Sequence, residues 1–454
     1  MIQDTAFLGQ ERIGPLLFRL SLPGVVGMLV HASYNVVDTL FIGWGVGALG
    51  LAGSAVAFPI LMVVMALTAW GGVGASSLIS RSLGEGNPER AEGALGNLVT
   101  LSLLLGLATL VLGLGALDPL LRLLKTAPEV QPYAEEYTRI LFYGTPLLFT
   151  GVGLNYSLRA EGKARLAMTS MLVSAAVNLI LDPLFLFVFR WGIAGAAWAT
   201  VIAQGTVVVW LGYVYLTGRT ALRIRPGHLR LRGDLLREIL EVGLSEGARL
   251  GANGLMIGLA VRALGVYGSS TAVAAYGIIS RVLSLLFMPL IGLAQGLQPV
   301  LGFNYGAGLY QRARKATLIS AQGATLFSGL GWLILLAAPG PILRLFSSEP
   351  GLLALGEPMM RTMALGFFCV GFQTVGAATF QALGKARPAL LLSLARQVLL
   401  LIPLLVLLPP FFGLLGVWIS FPLADLFSTL LTGAFFLSEM RFLKGRETAL
   451  PSTP

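Results

Sequence analysis

Gly84-Glu85-Gly86-Asn87-Pro88-Glu89-Arg90-Ala91 stands 222 positions before Gly306-Ala307-Gly308-Leu309-Tyr310-Gln311-Arg312-Ala313, with both Gly, the Arg and the Ala in register. The same shift lays Gly162-Lys163-Ala164-Arg165 on Gly384-Lys385-Ala386-Arg387. One displacement serving both pairs marks an internal repeat spanning about half the chain. Around these polar loops lie apolar runs of about 20 residues or more, long enough to cross a bilayer. Six fall at roughly 15–42, 50–80, 94–117, 135–158, 166–189 and 193–216. Six more fall at roughly 237–263, 272–302, 316–338, 358–382, 388–410 and 413–438.

The composition agrees. Of 454 residues 56% are hydrophobic and 11% charged, with mean hydropathy +0.82. A soluble domain carries about 25% charged residues, so this chain could not cover a water-facing surface of its size. The expected fold is an all-α polytopic membrane protein of twelve transmembrane helices in two six-helix lobes. Six spans per copy give both copies one orientation, so a pseudo-two-fold axis along the membrane normal relates them. The domains expected are a lobe over 1–216, a basic cytoplasmic linker over 217–236, a second lobe over 237–440 and a cytoplasmic tail over 441–454.

Charge sets the orientation. Most of the 31 Lys and Arg fall at the termini and in even-numbered loops, including Arg81 with Arg90, Arg159 with Lys163 and Arg165, and Arg312 with Arg314 and Lys315. Both ends should therefore face the cytoplasm, the chain lying in the inner membrane. The net charge of +10 is dispersed between apolar runs, which argues against a nucleic-acid partner. The start, Met1 to Arg12, is polar and mixed in charge and predicts no cleavable signal peptide. A single cysteine, Cys369, and two histidines, His31 and His228, predict no disulfide, metal centre or cofactor. They also leave no constellation for a membrane-embedded enzyme. No Walker A pattern occurs, so an ion gradient must supply the work.

Acids inside lipid cost about 2.5–3.5 kcal/mol and usually mark ion pathways. In the first half Asp38 and Asp182 lie within spans. Each has a polar partner one turn earlier, Tyr34 and Asn178, on the same helix face. Burial disfavours the charged form of a carboxyl, which suits a group that takes up and releases a proton. Pro23 with Gly24 gives the first helix a bending point, and Pro183 another to the fifth. Glu246 and Arg249 suggest a local ion pair. Arg281, inside the eighth span, should pair with Glu246 or face the cleft. Gln204, Asn253, Met256, Gln295, Gln298, Phe368 and Gln373 are candidate cleft-lining groups, Met and aromatic side chains offering an adaptable apolar surface.

Leu22-Pro23-Gly24, Asn35-Val36-Val37-Asp38-Thr39-Leu40-Phe41-Ile42-Gly43, the Gly84-to-Ala91 loop, Arg159-Ala160-Glu161-Gly162-Lys163 and Asn178-Leu179-Ile180-Leu181-Asp182-Pro183 together resemble the multidrug and toxic compound extrusion (MATE) transporters. The likeness is to the proton-coupled, DinF-like branch, over essentially the whole chain. It implies an amino-terminal polar cluster of Tyr34, Asp38, Asn178 and Asp182, with Asn155 and Thr200 fitting the pattern. It further implies that Asp38 is the principal coupling residue and that protonation bends the first helix. Substrates would be amphiphilic, often cationic drugs and dyes, moved by a monomer amid membrane lipids in exchange for protons. Sodium-coupled relatives of the NorM type keep acids in helices seven and ten. Here the repeat places Asp38 on Ala260 and Asp182 on Leu404, and helix ten has no acid. Proton coupling is therefore favoured, with Na+ the alternative ion. A lipid-linked saccharide flippase of the same superfamily is the competing activity.

Overall fold

A computed structural model of the chain describes residues 5–449. Besides two short helices, Phe7–Gln10 and Pro339–Arg344, twelve long ones follow in order among the described residues: α1 Ile13–Gly45, α2 Ala48–Gly84, α3 Pro88–Leu123, α4 Gln131–Ala160, α5 Ala164–Val188 and α6 Ile193–Leu216, then α7 Gly233–Tyr267, α8 Ser270–Gly306 and α9 Tyr310–Ala337. The tenth, α10, is a pair, Pro350–Ala364 and Phe367–Ala382, bent by 43°. Last come α11 Ala386–Leu407 and α12 Pro409–Ala449. Ten of these are long and apolar enough to cross a membrane, and the bent α10 makes an eleventh. The remaining one, α4, has 30 residues, about 45 Å at 1.5 Å per residue. Its first turns carry Glu135, Glu136 and Arg139, which lower its hydropathy. Helices α1–α6 and α7–α12 form two lobes.

The backbone bears out the repeat. Gly86 and Gly308 both sit at φ +71°, and Gly162 and Gly384 at +76° and +72°. Each ends a helix in the left-handed region that glycine enters without a Cβ clash. The first copy is capped more firmly: Asn87 Oδ1 accepts from Arg90 N at 3.0 Å, a bond Leu309 cannot make.

The linker is folded onto the first lobe. Between Leu216 and Gly233 the chain makes one 3-10 turn, Pro226–Leu229. Thr100 Oγ1 donates to Leu229 O (2.7 Å), and Asn97 Oδ1 accepts from Arg232 N (2.8 Å). Buried Glu92 pairs with Arg225 at 3.0 Å. Buried Glu161 accepts from Ala221 N at 2.7 Å. Helix α7 begins at Gly233, inside the stretch expected to be linker. The expected tail is helical as far as Ala449, and 450–454 lie outside the described residues.

The lobes touch along one half of their cleft, the half nearest this linker. There glycine lets backbones meet. A Cβ at Gly243 would lie 1.7 Å from Trp70 O, and one at Gly74 would lie 1.8 Å from Ile239 O. A Cβ at Gly84 would meet Phe303 O at 2.0 Å, and one at Gly306 would meet Arg81 O at 2.2 Å. These last two contacts exchange under the shift of 222, since 84 maps to 306 and 303 maps back to 81. The pseudo-two-fold axis thus runs through this seam. Trp70 Nε1 donates to Leu240 O (2.8 Å) and Ser77 Oγ to Gln381 O (2.5 Å). Glu238 of α7 holds Arg81 and Arg90 of the first lobe, each at 2.7 Å. Farther along α7, a Cβ at Gly251, Gly254, Gly258 or Gly265 meets nothing within 4 Å. The cleft is closed at the linker end and open at the other.

Candidate functional site

Two polar regions lie in different parts of the molecule. The first is inside the amino-terminal lobe. Asp182, 1% exposed, sits on α5 just before Pro183, and Asn178 Nδ2 donates to its Oδ1 at 3.3 Å. The Asp38 carboxyl, from α1, faces it within hydrogen-bonding reach. Asp38 Oδ1 and Asp182 Oδ2 are both buried without a partner. One proton held between the carboxyls makes a hydrogen bond, and its loss leaves two like charges side by side in an apolar interior. Tyr34 shares this environment, and His31 packs edge-on against it with ring centroids 4.9 Å apart. Buried Tyr137 of α4 lies near enough to both acids and Tyr34 to feel their charge. The sequence reading missed it, because a tyrosine in an apolar run carries no mark of its partners.

The other expected members are placed less centrally. Asn155 Nδ2 donates to Ala167 O and Ser170 Oγ, each at 2.9 Å, and so ties α4 to α5. Thr200 is half-buried on α6. Among the described residues no three His, Cys, Asp or Glu side chains gather as a metal cluster would require. Pro23 lies within α1, and Gly24 packs against α8, a Cβ there coming 3.2 Å from Gly292 O. A small pocket beside Pro23 and Gly24 is walled by Arg159, Met168 and Gln295. Arg159 Nη2 lies 3.2 Å from Met171 Sδ.

The second region is a cavity of about 260 Å³ between the lobes. Helix α8 lines it with Phe287, Ile291, Ala294, Gln295 and Gln298, and α10 with Val370, Gln373, Thr374, Ala377 and Gln381. Both sets follow the three-and-four spacing of one helix face. Met28, Val73 and Tyr156 close it from the first lobe, and Glu246, Arg249, Arg396 and Gln397 supply polar groups. Of the seven expected cleft residues, Gln295, Gln298 and Gln373 line this cavity. Asn253 borders it, accepting from Gln397 Nε2 at 3.2 Å. Met256 is buried in the hydrophobic core instead, and Gln204 lies against Gly144 within the first lobe. Phe368 is 43% exposed and packs edge-on to Trp332, away from the cavity. The reason is helical phase: these three sit on faces turned away from the cleft.

Glu246 and Arg249 form the expected local pair, Oε2 accepting from Nε at 2.9 Å. Arg281 is exposed, and the pair expected between it and Glu246 is not made. Asp425 of α12, 2% exposed, accepts from Arg396 Nε at 2.5 Å. Gln373 Nε2 donates to Asp425 O and Thr429 Oγ1, each at 2.8 Å. Asp425 and Arg396 were overlooked in the sequence, although each is a charge within an apolar run and so carries the same signal as Asp38.

The MatE family profile matches residues 23–184 and 255–407, one segment in each lobe. The chain belongs to the MATE family. Multidrug export protein MepA of Staphylococcus haemolyticus is 26% identical over 422 residues, covering 92% of each chain. The FAD transporter of Shewanella oneidensis is 28% identical over 432 residues, covering 94% of each. Among solved structures, the MATE multidrug transporter DinF-BH, in a ligand complex, is 37% identical, with TM-score 0.89 over 95% of this chain and 96% of that one. A MATE in the bent conformation reaches TM-score 0.92 at 25% identity, over 98% and 99%. The two-lobed, twelve-helix MATE architecture therefore holds across the whole chain.

Proposed function

We propose that this MATE protein is a secondary exporter of amphiphilic organic compounds, drugs or dyes, working by alternating access in exchange for protons. The observation that carries the reading is the Asp38–Asp182 pair, two acids with buried, unpartnered oxygens set apart from the central cavity. A proton on the pair and a substrate in the cavity can then compete through the shape of α1, which carries both Asp38 and Pro23–Gly24. MepA and DinF-BH, both named for multidrug transport, favour the same substrate class. The linker end is assigned to the cytoplasm of a bacterial inner membrane, so the open end faces outward. A membrane potential supplies about 2.3 kcal/mol per charge per 100 mV.

The test is dye movement in proteoliposomes, using cationic rhodamine 6G and anionic carboxyfluorescein, under a pH gradient or a sodium gradient. We expect the pH gradient to drive at least one dye and Asp38→Asn to abolish it. Transport driven by sodium alone would overturn the proton assignment and keep the exporter. No movement of either dye would turn the reading toward lipid-linked saccharides.

A further inference from the structure

The cavity between the lobes is lined by three charged side chains, and the one acid among them is already paired. Glu246 Oε1 accepts from Arg249 Nη2 (2.5 Å) and Oε2 from Arg249 Nε (2.9 Å), so its charge is balanced by a bidentate partner. Asp425 stands behind the wall at 2% exposure, its Oδ1 taken by Arg396 Nε. Arg396 lines the cavity with 28% of its side chain exposed. Among the described residues its Nε is the one guanidinium nitrogen bonded to protein, so both terminal amino groups remain for a ligand. Asp425 therefore acts as an anchor, fixing one edge of the guanidinium and leaving the fork free.

The surroundings suit such a fork. Ser393 Oγ and the Oε1 atoms of Gln373 and Gln397 are buried without partners. Arg396 and Gln397 lie on the π-helical turn Ala395–Leu401, a distortion frequent at functional sites. Met28, Phe287 and Ile291 give the cavity an apolar side. A guanidinium fork matches a carboxylate, sulfonate or phosphate bidentately, and the bond strengthens where water is scarce. A cation entering the same space meets two arginines and no unpaired carboxylate, which selects against it.

We propose that this cavity receives an organic anion, its acidic group on the Arg396 guanidinium and its apolar body against Met28, Phe287 and Ile291. The proposal rests on the exporter reading and departs from the cationic substrates that the family resemblance implies. The ligand is a soluble amphiphile, not a lipid headgroup, because the cavity is walled by helices of both lobes and the linker-end seam closes it.

The experiment measures binding of carboxyfluorescein and rhodamine 6G, two xanthene dyes of opposite charge, to the full chain in detergent by fluorescence anisotropy. Wild type should prefer the anion, and Arg396→Gln should weaken it at least about tenfold while leaving rhodamine 6G unchanged or tighter. Because Arg396→Gln strands Asp425, the double variant Arg396→Gln/Asp425→Asn removes both charges and should show the same loss. Arg396→Lys, which keeps the charge and loses the fork, should fall between. Unchanged anion affinity in the folded double variant would overturn the proposal, as would a wild-type preference for rhodamine 6G. Displacement of the dye by phosphatidylglycerol at matched concentration would move the site to a lipid headgroup and overturn the soluble ligand. If a pH gradient still drives rhodamine 6G while carboxyfluorescein fails to bind, the anion site falls and the exporter stands.

Discussion

Gly243→Ala places a methyl group where the two lobes meet. Its Cβ would lie 1.7 Å from Trp70 O. Ordinary van der Waals contact begins near 3.4 Å, so the backbones must separate by about 1.7 Å. Main chain stands on both sides, and no rotamer change relieves the clash. Overpacking of this kind costs about 1–3 kcal/mol where a packed interior yields. Here the lobes can yield by parting at the linker end. The same energy then shifts the equilibrium between closed and open seams by about 5- to 150-fold. The assay is a distance measurement between spin labels at Glu89→Cys and Gln311→Cys, exposed positions that correspond under the repeat, in a Cys369→Ser background. The wild type should give one short distance. Gly243→Ala should add or substitute a longer one, and Gly74→Ala, 1.8 Å from Ile239 O, should do likewise. Gly251→Ala, on the same helix with nothing within 4 Å, should leave the distribution unchanged. An unaltered distribution in Gly243→Ala would refute the claim that glycine contacts hold the seam shut.

Glu238→Gln should lengthen the same distance more weakly, because its pairs with Arg81 and Arg90 are partly solvated and contribute about 1 kcal/mol; no change would make them ornamental to the gate. Gly86→Ala and Gly308→Ala, both at φ +71°, should each cost about 1–2 kcal/mol and lower Tm by similar amounts. A large asymmetry between the two would contradict the structural equivalence of the copies. Burial pushes the Glu161 carboxyl up to about 7 from its ordinary 4.5. A raised acid contributes its stability in full below about 4.5 and loses it as pH rises through 7. Amide exchange over 219–223, corrected for intrinsic rate, should therefore quicken between about pH 4.5 and 7 and level off above it. Glu161→Gln keeps an acceptor oxygen without titrating and should flatten that profile; an identical profile in the variant would discount Glu161 as its origin.

Much of the fold was written in local terms. The apolar runs, the two glycine-bearing loops and their shared shift of 222 are each readable from neighbours in the chain, because lipid imposes length and polarity on every span separately. Asp38 and Asp182 stood out for the same reason: a carboxyl among apolar residues is conspicuous wherever it is. Asp425 and Arg396 carried that mark too and were passed over.

What sequence alone could not order was phase and proximity. Met256, Phe368 and Gln204 have the chemistry of cleft residues, and only the rotation of their helices turned them to the core, the lobe surface and the lobe interior. Tyr137 near the acid pair and Glu238 between two arginines depend on which helices meet, whatever the separation along the chain. The closure of the linker end is likewise tertiary. Gly74 and Gly243 look like any other glycines in an apolar run until two backbones approach closely enough that no Cβ fits between them. Composition and periodicity determined that this chain spans the membrane as two related halves. Packing decided which polar groups face the cavity, which stand behind it, and which end of the cleft is shut.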